Sequence, residues 1–561
     1  MHRPEEMNDP TDAPYSNSAG RCRKAWSDPG CLTGKRGRLR CTGISGMRRS
    51  TITAMKLLPS TADCHRIANR AATGSRTLLL VLAGCAWLTV ANPARAAEAT
   101  ALIYPHQPAR QQITAPIQLQ AGPHLLLDDY LIESSSNLVR RVHVPQREPA
   151  IRNPIIIGKE DGSFQPYLTV IRDASSGRFR VWYGAHTEDF NPGRSHIGYL
   201  ESTDGVHWLR PHRVLADPGP IQFGVSVLDE GTSFPKPAER YKFAWWCEGG
   251  LRLATSPDGF IWKALSPDVL IKHNHDITGI FWDAPRKQYV ATVSFYINGP
   301  AWKGLRRVTK HSTSTDLLHW SEPWLVVTPD DKLDEGETQF YAMDGYLTRG
   351  DVTIGMVKVL RDELKADNPP EPRDAYGLGY TTLAWTRDGI HWVRDREKFF
   401  DRHPTKGEWD HAHAWIDDQV PVGDEVFLYY GGYKSGHKVN RFEERQIGLV
   451  KMKRDRYVAR EAGASGGSLR TPLLKLSGDA ITLNADATGG EVLVQVLDAA
   501  GKPVRGFTRK DCRRITGDSL SAAVQWKKPL RELQGRPVRL EFFLRNARLF
   551  AFDLHDGKSG R

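Results

Sequence analysis

The chain has 561 residues, with 77 Lys and Arg against 65 Asp and Glu and a formal charge of +12. That length allows two or three domains. Residues 1–96 hold fifteen of the basic residues but only six of the acidic ones, so the basic balance belongs to the leader and excludes nucleic acid as the partner it would otherwise suggest.

In chain order, residues 1–96 form a basic leader and signal peptide. Residues 1–46 read as an upstream extension of the reading frame, with Met47 or Met55 as the ordinary start. Arg66, Arg70 and Arg76 precede the apolar run Leu78–Val90, and Ala94-Arg-Ala96 is a small-x-small cleavage site. The run is shorter than a membrane span needs, and no other stretch reaches about 18 apolar residues. A secreted or periplasmic protein without a transmembrane segment is expected. The alternative is lipid anchoring through Cys85, in the lipoprotein-like Leu82-Ala-Gly-Cys85. After cleavage only Cys247 and Cys512 remain, and two buried free thiols are expected from them.

Residues 97–119 read as a linker and 120–460 as a repeat array. A phrase recurs at Ser202-Thr-Asp-Gly-Val-His-Trp208, Ser256-Pro-Asp-Gly-Phe-Ile-Trp262, Ser314-Thr-Asp-Leu-Leu-His-Trp320 and Thr386-Arg-Asp-Gly-Ile-His-Trp392. Asp-Gly is a turn signal, because the Asp side chain caps its own turn and Gly takes positive φ freely. A β-rich run precedes each turn, and a buried aromatic follows. Upstream strands repeat too, at Arg178–Gly184, Arg240–Trp246, Lys287–Val293 and Glu425–Gly431. A degenerate fifth unit, Gln446–Tyr457, keeps the strand and the Asp without the Trp. The spacing predicts an all-β fold: a five-bladed β-propeller, then a Gly/Ser linker at 461–468 and a small C-terminal β-sandwich at 469–557. The sandwich strands are expected at Ala480–Asn484, Glu491–Leu497, Ala522–Trp526, Val538–Leu544 and Ala547–Asp553.

In a propeller, polar residues at inner-strand starts converge on the central channel. Those starts offer Glu160 and Asp161, Asp276 after two histidines, Glu337 with Tyr341, and Asp410 with His411 and His413; His437 follows a Tyr/Gly run. Acids among aromatics suit paired-carboxylate chemistry, in which one acid protonates a leaving oxygen and a second carboxylate acts as base or nucleophile. The competing bland readings are a turn at Glu160-Asp161 and a solvated acidic loop at Asp334–Glu337. His411 and His413 share a strand face with usable ligand spacing, but structural hydrogen bonding is preferred and no metal is assigned to them.

The opening Leu125-Leu-Leu-Asp-Asp-Tyr-Leu-Ile132, with Arg140–Pro145 and Asn153-Pro154, resembles an uncharacterised secreted bacterial group of the arabinanase, levansucrase and invertase superfamily of five-bladed β-propeller glycoside hydrolases. The resemblance spans roughly residues 120–557. It implies a hydrolase acting on glycosidic bonds of a plant or microbial polysaccharide or oligosaccharide. By position, Glu160 or Asp161 would be the base, Asp276 the auxiliary acid and Glu337 the proton donor. Asp410, His411, His413, His437 and Tyr341 would bind substrate. No cofactor is required by this reading; a structural calcium or sodium ion in the channel is compatible with it. The partner expected is a carbohydrate, and the protein a monomer. Asn153-Pro154 lacks the intervening Asp of the invertase signature, and Cys247-Glu248 reverses its Glu-Cys, which turns the reading away from fructan chemistry. A non-catalytic glycan-binding propeller is the alternative function.

Overall fold

The Ser/Thr-x-Asp-Gly phrase folds as one local device four times over. At Ser202, the hydroxyl accepts from Gly205 N–H at 2.9 Å, and Asp204 Oδ1 accepts from Val206 N–H and His207 N–H, both at 2.8 Å. The same bonds recur around Asp258, Asp316 and Asp388. Gly205, Gly259 and Gly389 have φ of 76–81°, and Leu317 stands in that left-handed position in the third copy, at φ 69°. An L-residue is disfavoured there by roughly 1–2 kcal/mol, but Leu317 buries its side chain. Each turn brings a Trp back toward the sheet it leaves. Trp208, Trp262 and Trp392 are buried.

The computed structural model describes residues 115–186, 194–365 and 377–556. The leader, the signal sequence, both cleavage alternatives including Cys85, and all of the 97–119 linker up to residue 114 lie outside the described residues. Within them, no helix is long and apolar enough to cross a membrane, and Cys247 and Cys512 are buried free thiols.

The structure is all-β and propeller-like. The first sheet runs through Ser163–Arg172, Phe179–Ala185, His196–Ser202 and Arg213–Val214. The second holds Phe223–Asp229, Tyr241–Trp246, Gly250–Ser256 and Lys263–Ala264, with Ile271–Lys272 added. The third holds Thr278–Asp283, Gln288–Gly299, Trp302–Ser314 and Trp324–Val327. Two further antiparallel meanders start at Thr338–Arg349 and His413–Val422. They are joined into one seven-stranded sheet by a single parallel pairing, Gly379 to His413. The leading strands of the meanders touch in succession, and the last, His413–Val422, returns to Ser163–Arg172. Chain closure comes from residues before the first sheet. Gln146 and Ile156 bridge to Lys451 and Ile447, and the Asn153 side chain bonds both backbone groups of Leu449.

Residues 461–468 are not a linker. Val458–Ala462 and Gly467–Arg470 are strands, and Gly463 to Gly466 form the tight turn between them. The Gly/Ser composition marked a tight turn between two strands that pair with different neighbours, not an inter-domain tether. The start of the propeller also moves. Gly122–Leu125 pairs with Ala547–His555, Ser134–Ser136 with Gly467–Arg470, and Val139–Val142 with Val458–Ala462. Residues 117–142 thus complete the C-terminal β-structure rather than open the propeller. That structure is one hydrogen-bonded nine-stranded sheet, not two separate ones. Its 18-residue strand Ala480–Leu497 pairs with Ala547–His555 before Gly489-Gly490 and with Arg539–Arg545 after it, because the glycines let the strand bend from one layer to the other. The strand expected at Ala522–Trp526 lies earlier, at Ile515–Ala523.

The two β-structures share packing. Leu125, Leu127, Val142 and Ala551 belong to one buried cluster with Val352, Trp385, Tyr430 and Tyr457. Asp128 accepts from Trp385 Nε1 at 2.8 Å and Arg387 Nη1 at 2.6 Å.

Candidate functional site

The segment His273-Asn-His-Asp276 precedes the third leading strand and is shaped by its neighbour. The Asn274 side chain bonds both backbone groups of Tyr296, at 3.0 Å each, as a strand residue would. His273 Nδ1 meets Ser294 O at 3.1 Å. His275 and Asp276 are thereby held between these strands, and 21% of the Asp276 side chain remains reachable by solvent. Burial raises the Asp276 carboxyl above its ordinary value, with Arg307 working against that rise. Asp276 Oδ1 has no hydrogen-bond partner.

Arg307, from the third strand of the same sheet, reaches across. Its Nε donates to His275 Nε2 at 2.9 Å and its Nη1 to Gln339 Oε1 at 2.6 Å, with Asp362 Oδ2 at 3.6 Å. Its guanidinium lies 5.4 Å from the Tyr296 ring and 5.7 Å from that of Tyr341. Tyr341 stacks on Trp415 at 4.7 Å and meets His437 edge-on at 5.2 Å. His413 packs 4.6 Å from Trp415 and 4.7 Å from Tyr433, with both ring nitrogens lacking hydrogen-bond partners. Arg445 lies over Tyr433 at 4.9 Å and donates to the carbonyls of Phe164 and His437. Burial drives His413 and His437 well below the ordinary imidazole value, so both are neutral. Burial, aided by the Asp276 charge, pushes Tyr341 up to about 12 and Tyr167 well above the phenol range. The Tyr167 and Tyr433 hydroxyls lack partners as well. The result is an aromatic wall with an acid, a guanidinium and several unspent polar atoms.

Of the residues expected from sequence, Asp276, Tyr341, His413 and His437 come together here. Glu337 is half-buried at the head of Thr338–Arg349, two residues before the Gln339 that holds Arg307. The others fall elsewhere. Glu160 is exposed on the short helix Gly158–Asp161. Asp161 is buried and spent: Arg210 Nε and Nη2 donate to it at 3.0 and 2.7 Å, and Ile157 N–H at 2.8 Å. It is a structural ion pair, not a free base. Asp410 is likewise held by Arg147 and by the Tyr430 hydroxyl at 3.0 Å, and His411 Nδ1 lies 2.8 Å from the His403 carbonyl. Neither stands free to take substrate. Among the described residues, no group of three or more His, Cys, Asp or Glu is arranged to hold a metal ion.

Beneath this wall lies a charged cluster that sequence reading missed. Lys358, on the otherwise apolar strand Val352–Arg361, is fully buried and pairs with Asp417 and with Asp344 Oδ2 at 2.9 Å. Its ammonium lies 5.7 Å from the Tyr167 ring. Burial opposes the lysine's charge, but Asp344 and Asp417 outweigh it and hold the ammonium above its ordinary value. Adjacent Asp418 accepts from Val170 N–H at 2.7 Å, yet burial raises its carboxyl to about 7. A folded-state value above the unfolded one, about 3.9, gives stability that is present below pH 4 and lost as pH rises through 7. The urea midpoint of the wild type is therefore expected to fall between pH 4 and 7 relative to that of Asp418→Asn. Parallel pH profiles of the two proteins would show that Asp418 titrates normally.

No family model matches the chain. Two uncharacterised proteins of Mycobacterium tuberculosis, from strains CDC 1551 and H37Rv, are each 30% identical to it over 149 residues, 24% of this chain and 45% of theirs. The chain thus spans about half the length of these curated relatives. Among solved structures, a β-fructofuranosidase of Bombyx mori is 12% identical, with 73% of this chain and 95% of that chain covered and a TM-score of 0.35. A glycosyl hydrolase from Bacteroides ovatus is 16% identical, with 56% and 96% covered and a TM-score of 0.38. An N-acetylgalactosamine deacetylase from F. plautii is 15% identical, with 57% and 97% covered and a TM-score of 0.35.

Proposed function

We propose that this protein is a secreted or periplasmic, five-bladed propeller that hydrolyses glycosidic bonds of a plant or microbial polysaccharide or oligosaccharide, with Asp276 as the proton-donating acid. The observation that supports it most is Asp276 itself: a carboxyl of raised proton affinity with an unpartnered oxygen, reachable from solvent and set beside an aromatic wall. A general acid must hold its proton more tightly than an ordinary carboxyl, and burial shifts Asp276 in that direction. Tyr296, exposed beside the site, gives a face suited to a sugar ring. The second carboxylate comes from Glu337 or from Asp362, which approaches the same Arg307. A channel calcium or sodium ion would be structural in this reading, and the working form a monomer.

The pairing of Asp161 with Arg210 favours a second reading, because among the described residues it removes the buried acid expected at the first meander from the reaction. In that reading the propeller binds glycan without cleaving it. A panel of polysaccharides and aryl-glycosides separates the two, scored for reducing-sugar release and for binding by calorimetry. Release that is lost in Asp276→Asn, and in one of Glu337→Gln or Asp362→Asn, supports the hydrolase. Binding without release supports the second reading, and neither response across the panel removes both.

A further inference from the structure

The contact between His275 and Arg307 fixes more than a position. An arginine Nε always carries hydrogen and cannot accept. His275 Nε2, 2.9 Å away, must therefore be the acceptor, and the ring hydrogen resides on Nδ1. A second proton at Nε2 would face the guanidinium directly. Nδ1 lies 3.0 Å from Ser294 Oγ and 3.0 Å from Asp276 Oδ1. The contact with Ser294 is the aligned hydrogen bond, which leaves Asp276 Oδ1 without one. Arg307 cannot readily turn away, being bonded to Gln339 and flanked by Tyr296 and Tyr341. The groups facing the imidazole are thus Arg307, Asp276 and the rings of Tyr296 and Tyr341, with His273 two residues before it.

We infer that His275 is a positioning residue for Asp276: burial and Arg307 keep it neutral with its proton on Nδ1, bonded to Ser294 Oγ, and the ring so fixed stands 3.0 Å from Asp276 Oδ1 and sets where that carboxyl sits. This rests on the reading of Asp276 as the reactive acid, but its first test does not. Nitrogen NMR of protein carrying ¹⁵N-histidine, with His275 assigned by its loss in His275→Asn, reports tautomer and charge. The expected result is the Nδ1–H tautomer with no titration near the ordinary value of about 6.5, and a mixture of the two tautomers in Arg307→Met, where nothing holds Nε2 as the acceptor. An Nε2–H ring, or titration near 6.5 in the wild type, overturns the inference.

The second test uses a glycan that the panel shows to be cleaved. His275→Asn keeps an N–H near the Nδ1 position, whereas His275→Gln places it on the Nε2 side. The Asn variant is expected to keep kcat within about tenfold, and the Gln variant to lose about 10²-fold, the scale of a misplaced catalytic group. The alkaline limb of the Gln variant should move to higher pH, because its Asp276 carboxylate loses the nearby positive end of the Nδ1–H dipole. Identical kcat and pH profiles in the two variants overturn the inference. Absence of any cleavage removes the proposed hydrolase instead, and leaves the tautomer to decide the role of His275.

Discussion

Asp276→Asn is expected to lower glycoside turnover by about 10²–10⁴-fold, the range of a lost general acid, and to raise the melting temperature at pH 8. The two effects share one cause. Burial lifts the proton affinity of Asp276 in the folded state. The stability tied to that group is then present below the unfolded value, near 3.9, and is lost as pH rises through the folded one. Above that folded value the protein must hold an enclosed charge that Arg307 offsets only in part, and an amide removes that cost. The same shift predicts that wild-type activity declines on the alkaline side, where the acid has lost its proton. Turnover curves against pH and thermal melts of both proteins check this. A variant that loses activity and melts lower would show that Asp276 supports the fold rather than the chemistry.

Lys358→Met is expected to cost about 3–5 kcal/mol, the penalty for leaving buried charge without its partner. Asp344 and Asp417 both approach the Lys358 ammonium, and Asp417 sits in surroundings that already push its carboxyl far above the ordinary value through burial. Removing the lysine leaves two facing acids in a dry layer. One must take a proton, so the loss should be larger at pH 8 than at pH 5. Adding Asp417→Asn to Lys358→Met should recover part of it, since a buried ionic group replaced whole costs less than one broken in half. Urea melts at both pH values measure this; equal losses at the two pH values would mean that the acids are reached by water. Tyr167 lies between this cluster and Asp276, so the single variant should also disturb the site.

The local features of the fold were legible in sequence. A turn capped by its own Asp needs only six consecutive residues, and so the four copies announced themselves. Asp276, Tyr341 and His413 lie at or near the heads of leading strands, and those heads can be counted from the turns. Asp161 fits the same positional rule and still fails, since its partner Arg210 lies 49 residues away and nothing local marks the pairing. Arg307 and Arg445 escaped notice for a related reason: they reach the site from other strands or loops. Lys358 did leave a signal, a lone lysine within Val352–Val359, where a buried charge demands partners. Residues 117–119 were read as linker and 120–142 as propeller, because their partner strands lie far along the chain and nothing local marks those pairings.

The order in which strands find their partners carries a temporal consequence. Residues 117–142 are made long before their partners, and Gly122–Leu125 must await Ala547–His555, more than 400 positions later. The ring, too, is fastened by residues 146–156 against Gln446–Lys453. The first and last described strands are therefore tied to each other, one clasp inside the other. Such sequence-distant pairings form slowly, and during synthesis the early strands would present unpaired edges inviting to other chains. Deleting Gly122–Leu125 or Ala547–His555 removes a strand from the same nine-stranded sheet, so lesions at sequence-distant positions should produce one phenotype.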